Sequence, residues 1–99
     1  MKPVVLHDLA VAEFDEAAAW YEERKGGLGA EFRNAVEDAV HRIQNNPQAG
    51  SRYGRTNFRF VLVHRFPLVV FYAESEDAIR LMAVAHGRRR PGYLRKRKF

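Results

Sequence analysis

Residues 21–32 read YEERKGGLGAEF, and the three glycines in this stretch, Gly26, Gly27 and Gly29, decide how the first half of the chain is laid out. Glycine opposes continued helix and favours turns, so the helical patterns on either side must reverse direction here. Before it, Ala10, Phe14, Ala17, Ala18 and Tyr21 recur at the three-and-four spacing of one helix face, with Glu13, Glu16 and Glu23 mostly outside the stripe. After it, Phe32, Val36, Ala39, Val40 and Ile43 repeat the stripe until Asn45-Asn46-Pro47 ends it, because the residue before a proline is pushed out of the helical region. Two helices joined this tightly form an antiparallel hairpin.

Working outward, Val4, Val5 and Leu6 make a short strand, and Asp8 reads as the N-cap of the first helix because its carboxylate can accept from first-turn amides. Residues 48–57 read as a loop. Beyond it the period changes from helical to alternating: Phe58, Phe60, Leu62 and His64 take one side, Arg59, Val61, Val63 and Arg65 the other. Phe66-Pro67 turns into a β-rich run from Leu68 to Glu74, and Ser75-Glu76-Asp77 turns again. In the last strand Ile79, Leu81, Ala83 and Ala85 oppose Arg80, Met82, Val84 and His86. The order is β-α-α-β-β-β, an α+β fold in two layers. It places a helical hairpin on one face of a small, mainly antiparallel four-stranded sheet, as one domain over 1–99 with a basic tail at 87–99. A hairpin with one apolar stripe per helix covers a single sheet face. Parity then assigns Arg59, Arg65, Arg80 and His86 to the open face, a shallow basic surface leading into the tail.

Charge is unevenly divided. Residues 1–50 hold five Lys/Arg against nine Asp/Glu, a net −4, whereas residues 51–99 hold twelve against three, a net +9. The second half is the one that seeks an anionic partner. With no cysteine the chain has neither a disulfide frame nor a thiolate nucleophile, which fits a reducing compartment. His7, His41, His64 and His86 lack metal-ligand spacing, so no metal and no cofactor are expected. MKPVVLHDL is no signal peptide and the apolar run from Leu68 to Ala73 is too short to span a bilayer, so a cytoplasmic protein without membrane contact is expected.

Five pieces in this order, Ala17-Ala18-Ala19-Trp20-Tyr21-Glu22, Leu28-Gly29-Ala30-Glu31-Phe32, Asn46-Pro47, Arg65-Phe66-Pro67 and residues 83–91, AVAHGRRRP, resemble the RelE/ParE superfamily of type II toxin–antitoxin toxins, most closely its ParE-like branch. The resemblance implies a growth-arresting toxin of the kind linked to plasmid stabilization, neutralised by a cognate antitoxin that wraps a partly disordered segment around it. It implies one of two targets: some members cut messenger RNA on the translating ribosome, whereas ParE-like members interfere with DNA gyrase. Leu68 departs from an aromatic that often follows the Phe-Pro pair, and Leu94 from a tryptophan that often follows the tail tyrosine, a change that removes an aromatic surface.

A ribonuclease of this superfamily must activate the ribose 2′-OH, stabilise the phosphorane with cations and protonate the leaving oxygen. Arg59 matches a strand arginine of the nucleolytic members, and Arg88 and Tyr93 lie near their tail arginine and tyrosine. The loop that bears lysines or a glutamate in those members reads Arg52-Tyr53-Gly54-Arg55-Thr56-Asn57, and arginine is no base at neutral pH. His86 is left as the group that titrates near neutrality, and it also reads as a strand-end histidine fixing the exit of the tail. Arg88, Arg89 and Arg90 belong to a run of seven Lys/Arg in residues 88–99 with no acid, which reads as a grip on a charged partner. Trp20 and Tyr21 read as structural, and the acids of the first helix as a solvated face.

The expected activity is therefore non-catalytic inhibition of gyrase, with Arg59, Arg65, Arg80, His86, Arg88, Arg89, Arg90 and Tyr93 as target-contact residues. The alternatives are a ribosome-dependent endoribonuclease using Arg59, His86, Arg88 and Tyr93, and an inactive antitoxin-binding module. The antitoxin is expected to cover the hairpin or the open sheet, the largest faces.

Overall fold

The computed structural model describes residues 1–86 and 91–97. Along the chain run β1 (Val4–Leu6), α1 (Asp8–Arg24), α2 (Leu28–Asn45), β2 (Ser51–Arg52), β3 (Arg59–Leu62), β4 (Leu68–Glu74), β5 (Ile79–His86) and α3 (Pro91–Arg95). The class is α+β, with the α1–α2 hairpin packed on the sheet. The sheet, however, is mixed and five-stranded, in the order β1-β5-β4-β3-β2. β1 runs parallel to β5, pairing Val4 with Ile79 and Leu6 with Leu81, and every other pairing is antiparallel. The additional strand, β2, lies inside the stretch read as loop: Ser51 pairs with Phe60 and Arg52 with Arg59. Two residues are too few to show an alternation, so nothing but the pairing reveals it.

The hairpin forms where the glycines place it. Gly27 adopts φ 91° at the N-cap of α2 and brings no side-chain cap. Glu22 supplies it from α1, its carboxylate accepting from the amides of Gly27 at 3.0 and 3.1 Å and of Gly29 at 3.0 Å. These backbone bonds hold the Glu22 carboxyl below its usual range. Gly29 lets the helices close: a Cβ there would lie 2.8 Å from the Ala18 carbonyl oxygen. At the start of α1 the cap is His7 rather than Asp8. His7 N–H still donates to Leu81 O in the sheet at 3.0 Å, and its Nδ1 accepts from Leu9 N–H at 3.0 Å. Asp8 is thus the first helical residue, where its charge still favours the positive helix end.

The core between hairpin and sheet joins Ala18, Phe32, Val36, Ala39 and Ile43 to Val63, Val70, Tyr72, Ile79, Leu81 and Val84. The opposite face is not a basic open surface. It carries a second apolar cluster of Tyr53, Val69, Phe71, Met82, Ala83 and Ala85, closed by Leu94 of α3, which is completely buried. Leu94 therefore fills a core position, where a larger ring would need other packing. β4, from Val69 to Tyr72, is buried on both faces, which is why it reads as an unbroken apolar run.

Candidate functional site

A register shift in the middle of the sheet decides where the basic side chains go. Tyr72 pairs with Leu81 and Phe71 with Ala83, which leaves Met82 as an extra residue on β5. A bulge of this kind reverses the alternation beyond it. Ala83 and Ala85 accordingly join the second cluster, while Val84 packs with the hairpin. His86 follows Val84 to the hairpin side, exposed at the strand end in a groove of about 420 Å³ with Glu13, Glu16, Trp20 and Leu68. The parity expected for His86 is thus corrected by the bulge.

Arg59 is corrected as well. It pairs across the sheet with Tyr72, on the hairpin side, and its Nη1 donates to the carbonyls of Gly50 at 2.8 Å and Gln48 at 3.1 Å. The guanidinium ties down the chain between α2 and β2. Arg65 sits in the β3–β4 turn with φ 72°, closed by Phe66 N–H donating to Val63 O at 3.0 Å. Arg80 is exposed on β5, between the inward-facing Ile79 and Leu81. The four residues assigned to one face therefore occupy four different settings. Because Arg59–Tyr72 and Leu68–His86 lie toward opposite ends of β4, with β4 between the two strands, Arg59 and His86 are on the order of 15 Å apart. Arg88, Arg89 and Arg90 lie outside the described residues.

Tyr93 is half-buried and belongs to a network that residue patterns missed. Its hydroxyl donates to Glu13 Oε2, and Arg97 bonds both Glu13 oxygens at 2.8 Å and the Tyr93 oxygen at 2.6 Å. Glu13 Oε1 also accepts from Val84 N–H at 3.1 Å, and Arg97 Nη1 donates to Met82 O at 2.8 Å. Read as a solvated acid, Glu13 instead sits between Ala10 and Ala17 at three-and-four spacing, on the border of the apolar stripe. That spacing was the available signal. Trp20 departs from its structural reading in the other direction: it is half-exposed, edge-on to Tyr21 at 5.1 Å, with the Arg24 guanidinium 3.3 Å over its ring.

The segment 52–57 is a closed turn. Tyr53 N–H donates to Phe58 O at 3.0 Å, and Thr56 Oγ1 donates to Tyr53 O at 2.6 Å while accepting from Phe58 N–H at 3.1 Å. The Tyr53 ring packs on Phe71 at 4.9 Å, and its buried hydroxyl has no hydrogen-bond partner among the described residues. Burial pushes this phenol up from its ordinary range. Tyr53→Phe keeps the ring and removes the orphan oxygen, so it is expected to stabilise the fold by about 1 kcal/mol in urea unfolding. A loss of that size would show that the hydroxyl has a partner.

A second surface is apolar. Val4, Leu6, Val11, Phe14, Val36 and Val40 line a groove of about 610 Å³ between α1, α2 and β1, with Asp15 and Glu37 also in its wall. Leu6 and Val11 remain exposed there, and Leu9 and Val5 lie exposed on the neighbouring backbone. β1 is an edge strand, so among the described residues one of its margins is unpaired in the sheet. Among the described residues no helix is long and apolar enough to cross a membrane.

A family model described as the ParE toxin of the type II toxin–antitoxin system parDE matches residues 4–91. That span takes in the hairpin and the whole sheet and stops before Tyr93, Leu94 and Arg97. Among solved structures, a chain from the chromosomal ParDE TA system of P. aeruginosa superposes with a TM-score of 0.65, covering 87% of this chain and 96% of that one at 18% identity. At that identity the likeness is one of fold. No curated protein matches the sequence.

Proposed function

Because this chain belongs to the ParE toxin family of type II toxin–antitoxin systems, we propose that it arrests growth as a non-catalytic protein inhibitor of DNA gyrase, a cytoplasmic target. The observation that carries this reading beyond the family is the engagement of Arg59. Its guanidinium is spent on the carbonyls of Gln48 and Gly50, far from His86, and Tyr93 is held by Glu13 and Arg97. A nuclease needs base, acid and cations within reach of one phosphate. These residues are distributed as structural ties instead. Target contact then falls to the exposed cations Arg65 and Arg80 and, by its sequence, to the run Arg88–Arg90, with His86 at the end of β5.

The antitoxin, in this reading, covers the groove between α1, α2 and β1. An amphipathic segment would bury the exposed Leu6 and Val11, and an extended one could pair with the free margin of β1. Purified toxin freed of its partner is expected to inhibit supercoiling by gyrase and to trap cleaved DNA. Unchanged gyrase at high molar excess, together with A-site cuts in toeprints of translating ribosomes, would replace this reading with the ribonuclease one. Absence of any growth arrest on induction without the neighbouring gene would leave an inactive antitoxin-binding module.

A further inference from the structure

Helix α1 leaves a groove on each of its sides. Toward α2 and β1 lies the apolar one that holds Leu6 and Val11. On the other side, against the end of the β4–β5 pair, lies the groove of about 420 Å³ walled by Glu13, Glu16, Trp20, Pro67, Leu68 and His86. Val84 lines both. With about 100° between successive helical residues, Val11 and Asp15 turn toward the first groove and Glu16 and Trp20 toward the second. The exposed Ala12 and Ala19 stand on the crest between them.

Glu13 shows what this second flank of α1 binds. Its carboxylate takes Arg97 in a bidentate pair at 2.8 Å, and the Tyr93 ring lies 4.5 Å from the same guanidinium. Further along the helix, Glu16 and Trp20 again bring a carboxylate and a ring together, at i and i+4. Among the described residues no cation pairs with Glu16. The Trp20 indole is half-exposed although it already takes the Arg24 guanidinium 3.3 Å over its centroid, so its π surface is one that attracts cations. Pro67, Leu68 and Val84 give the groove an apolar floor, which suits the methylene stem of a lysine or arginine whose charged head reaches Glu16. Carboxylates in the wall repel phosphate, so a nucleic acid does not fit here.

We propose that this groove is a second docking site for the cognate antitoxin, filled by a lysine- or arginine-bearing segment that lies on Trp20 and pairs with Glu16. Charge favours the antitoxin over the target as occupant. Residues 1–50, which carry the groove's acids, are net −4, whereas the target-contact cations belong to the half that is net +9. The path is short as well. Half the circumference of a helix about 10–12 Å across is roughly 17 Å, which about five extended residues span, and Ala12 and Ala19 keep the crest low. This path, though not the chemistry of the groove, rests on the reading that the antitoxin also seats in the groove between α1, α2 and β1.

The test measures the affinity of the cognate antitoxin, purified from the co-expressed pair, for the full-length toxin and its variants. Trp20→Ala is expected to weaken binding roughly thirtyfold, the scale of an interfacial tryptophan. Glu16→Lys should cost about tenfold or more by setting like charges together. Glu16→Gln should cost about threefold and make the dependence of affinity on salt shallower. Glu16 is exposed, so both of its variants should keep the urea midpoint of the parent. Unchanged affinity and salt dependence in the two Glu16 variants would overturn the proposal, whatever Trp20→Ala does. Leu6→Asp, in the first groove, separates the two readings. If it weakens binding while the Glu16 variants do not, the first groove stands and the second falls. If Glu16→Lys weakens binding while Leu6→Asp does not, the second groove stands without the first. Should Trp20→Ala and Glu16→Lys spare the antitoxin but reduce growth arrest by the toxin alone, the groove belongs to the target and the proposal is overturned.

Discussion

Phe32→Ala is expected to lower the free energy of unfolding by about 3–5 kcal/mol. Phe32 is completely buried, and its ring is met by Tyr21 and Phe66 at 5.2 Å and by Phe14 at 5.9 Å. These neighbours cannot collapse into the space it leaves. Phe14 and Tyr21 belong to α1, which Glu22 and the Gly29 contact lock against α2, and Phe66 is fixed by the β3–β4 turn. The cavity term therefore adds to the lost transfer energy. A domain of this size has about 5–15 kcal/mol in all, so much of the margin is removed. Urea unfolding checks this: a midpoint shift worth less than about 2 kcal/mol would mean that the aromatic cluster repacks.

The second large effect is expected from the smallest possible side chain. Gly50→Ala would place a Cβ 2.2 Å from the Tyr72 hydroxyl oxygen, closer than any real contact. Tyr72 is completely buried and spans the core to reach residues 47–50, donating to Pro47 O at 2.6 Å and accepting from Gly50 N–H at 3.1 Å. Displacing it breaks both bonds and leaves buried polar atoms unmatched, each at about 1–3 kcal/mol, so a total on the order of 3 kcal/mol is expected. The substitution also loosens the carbonyls that hold Arg59. Tyr72→Phe in the Gly50→Ala background separates the terms: with no hydroxyl to displace, the added cost of the alanine should shrink by at least half in a double-mutant cycle. An undiminished cost would place the strain in the backbone of residue 50.

What could be read from sequence follows the strength of each local signal. The hairpin was legible because three glycines interrupt two long apolar stripes, and the three longer strands because their alternation or apolar run is bounded by turns. β2 was not legible, since two residues within a polar stretch carry no period. Nor was α3, which lies inside the stretch read as a basic tail, while Leu94, taken as a loss of surface, is the residue that anchors it. The continuous apolar run of β4 did announce a sheet covered on both faces, and that signal stood against the open face assigned from the hairpin alone.

For the candidate site, the alternation of β5 in sequence does not show the bulge at Met82, and every residue beyond the bulge lies on the side opposite to the one its parity predicts. A bulge depends on how two strands meet, so the residues of one strand cannot declare it. Glu13 was visible only as an acid at the edge of a stripe, and its partner Arg97 was hidden in a run of like charges.

The parallel pairing of β1 with β5 also sets the order in which the molecule can assemble. Val4 meets Ile79 across three quarters of the chain, and β5, which holds β1 on one side and β4 on the other, is the last strand to be made. During synthesis the α1–α2 hairpin can close on itself early, through contacts near in sequence, but its apolar stripe has no complete sheet to rest on until residue 86 has emerged. Loop closure over such a separation is slow relative to helix formation. The sheet therefore cannot be completed before β5 is made, and a chain cut short before β5 leaves part of the hairpin's apolar face uncovered.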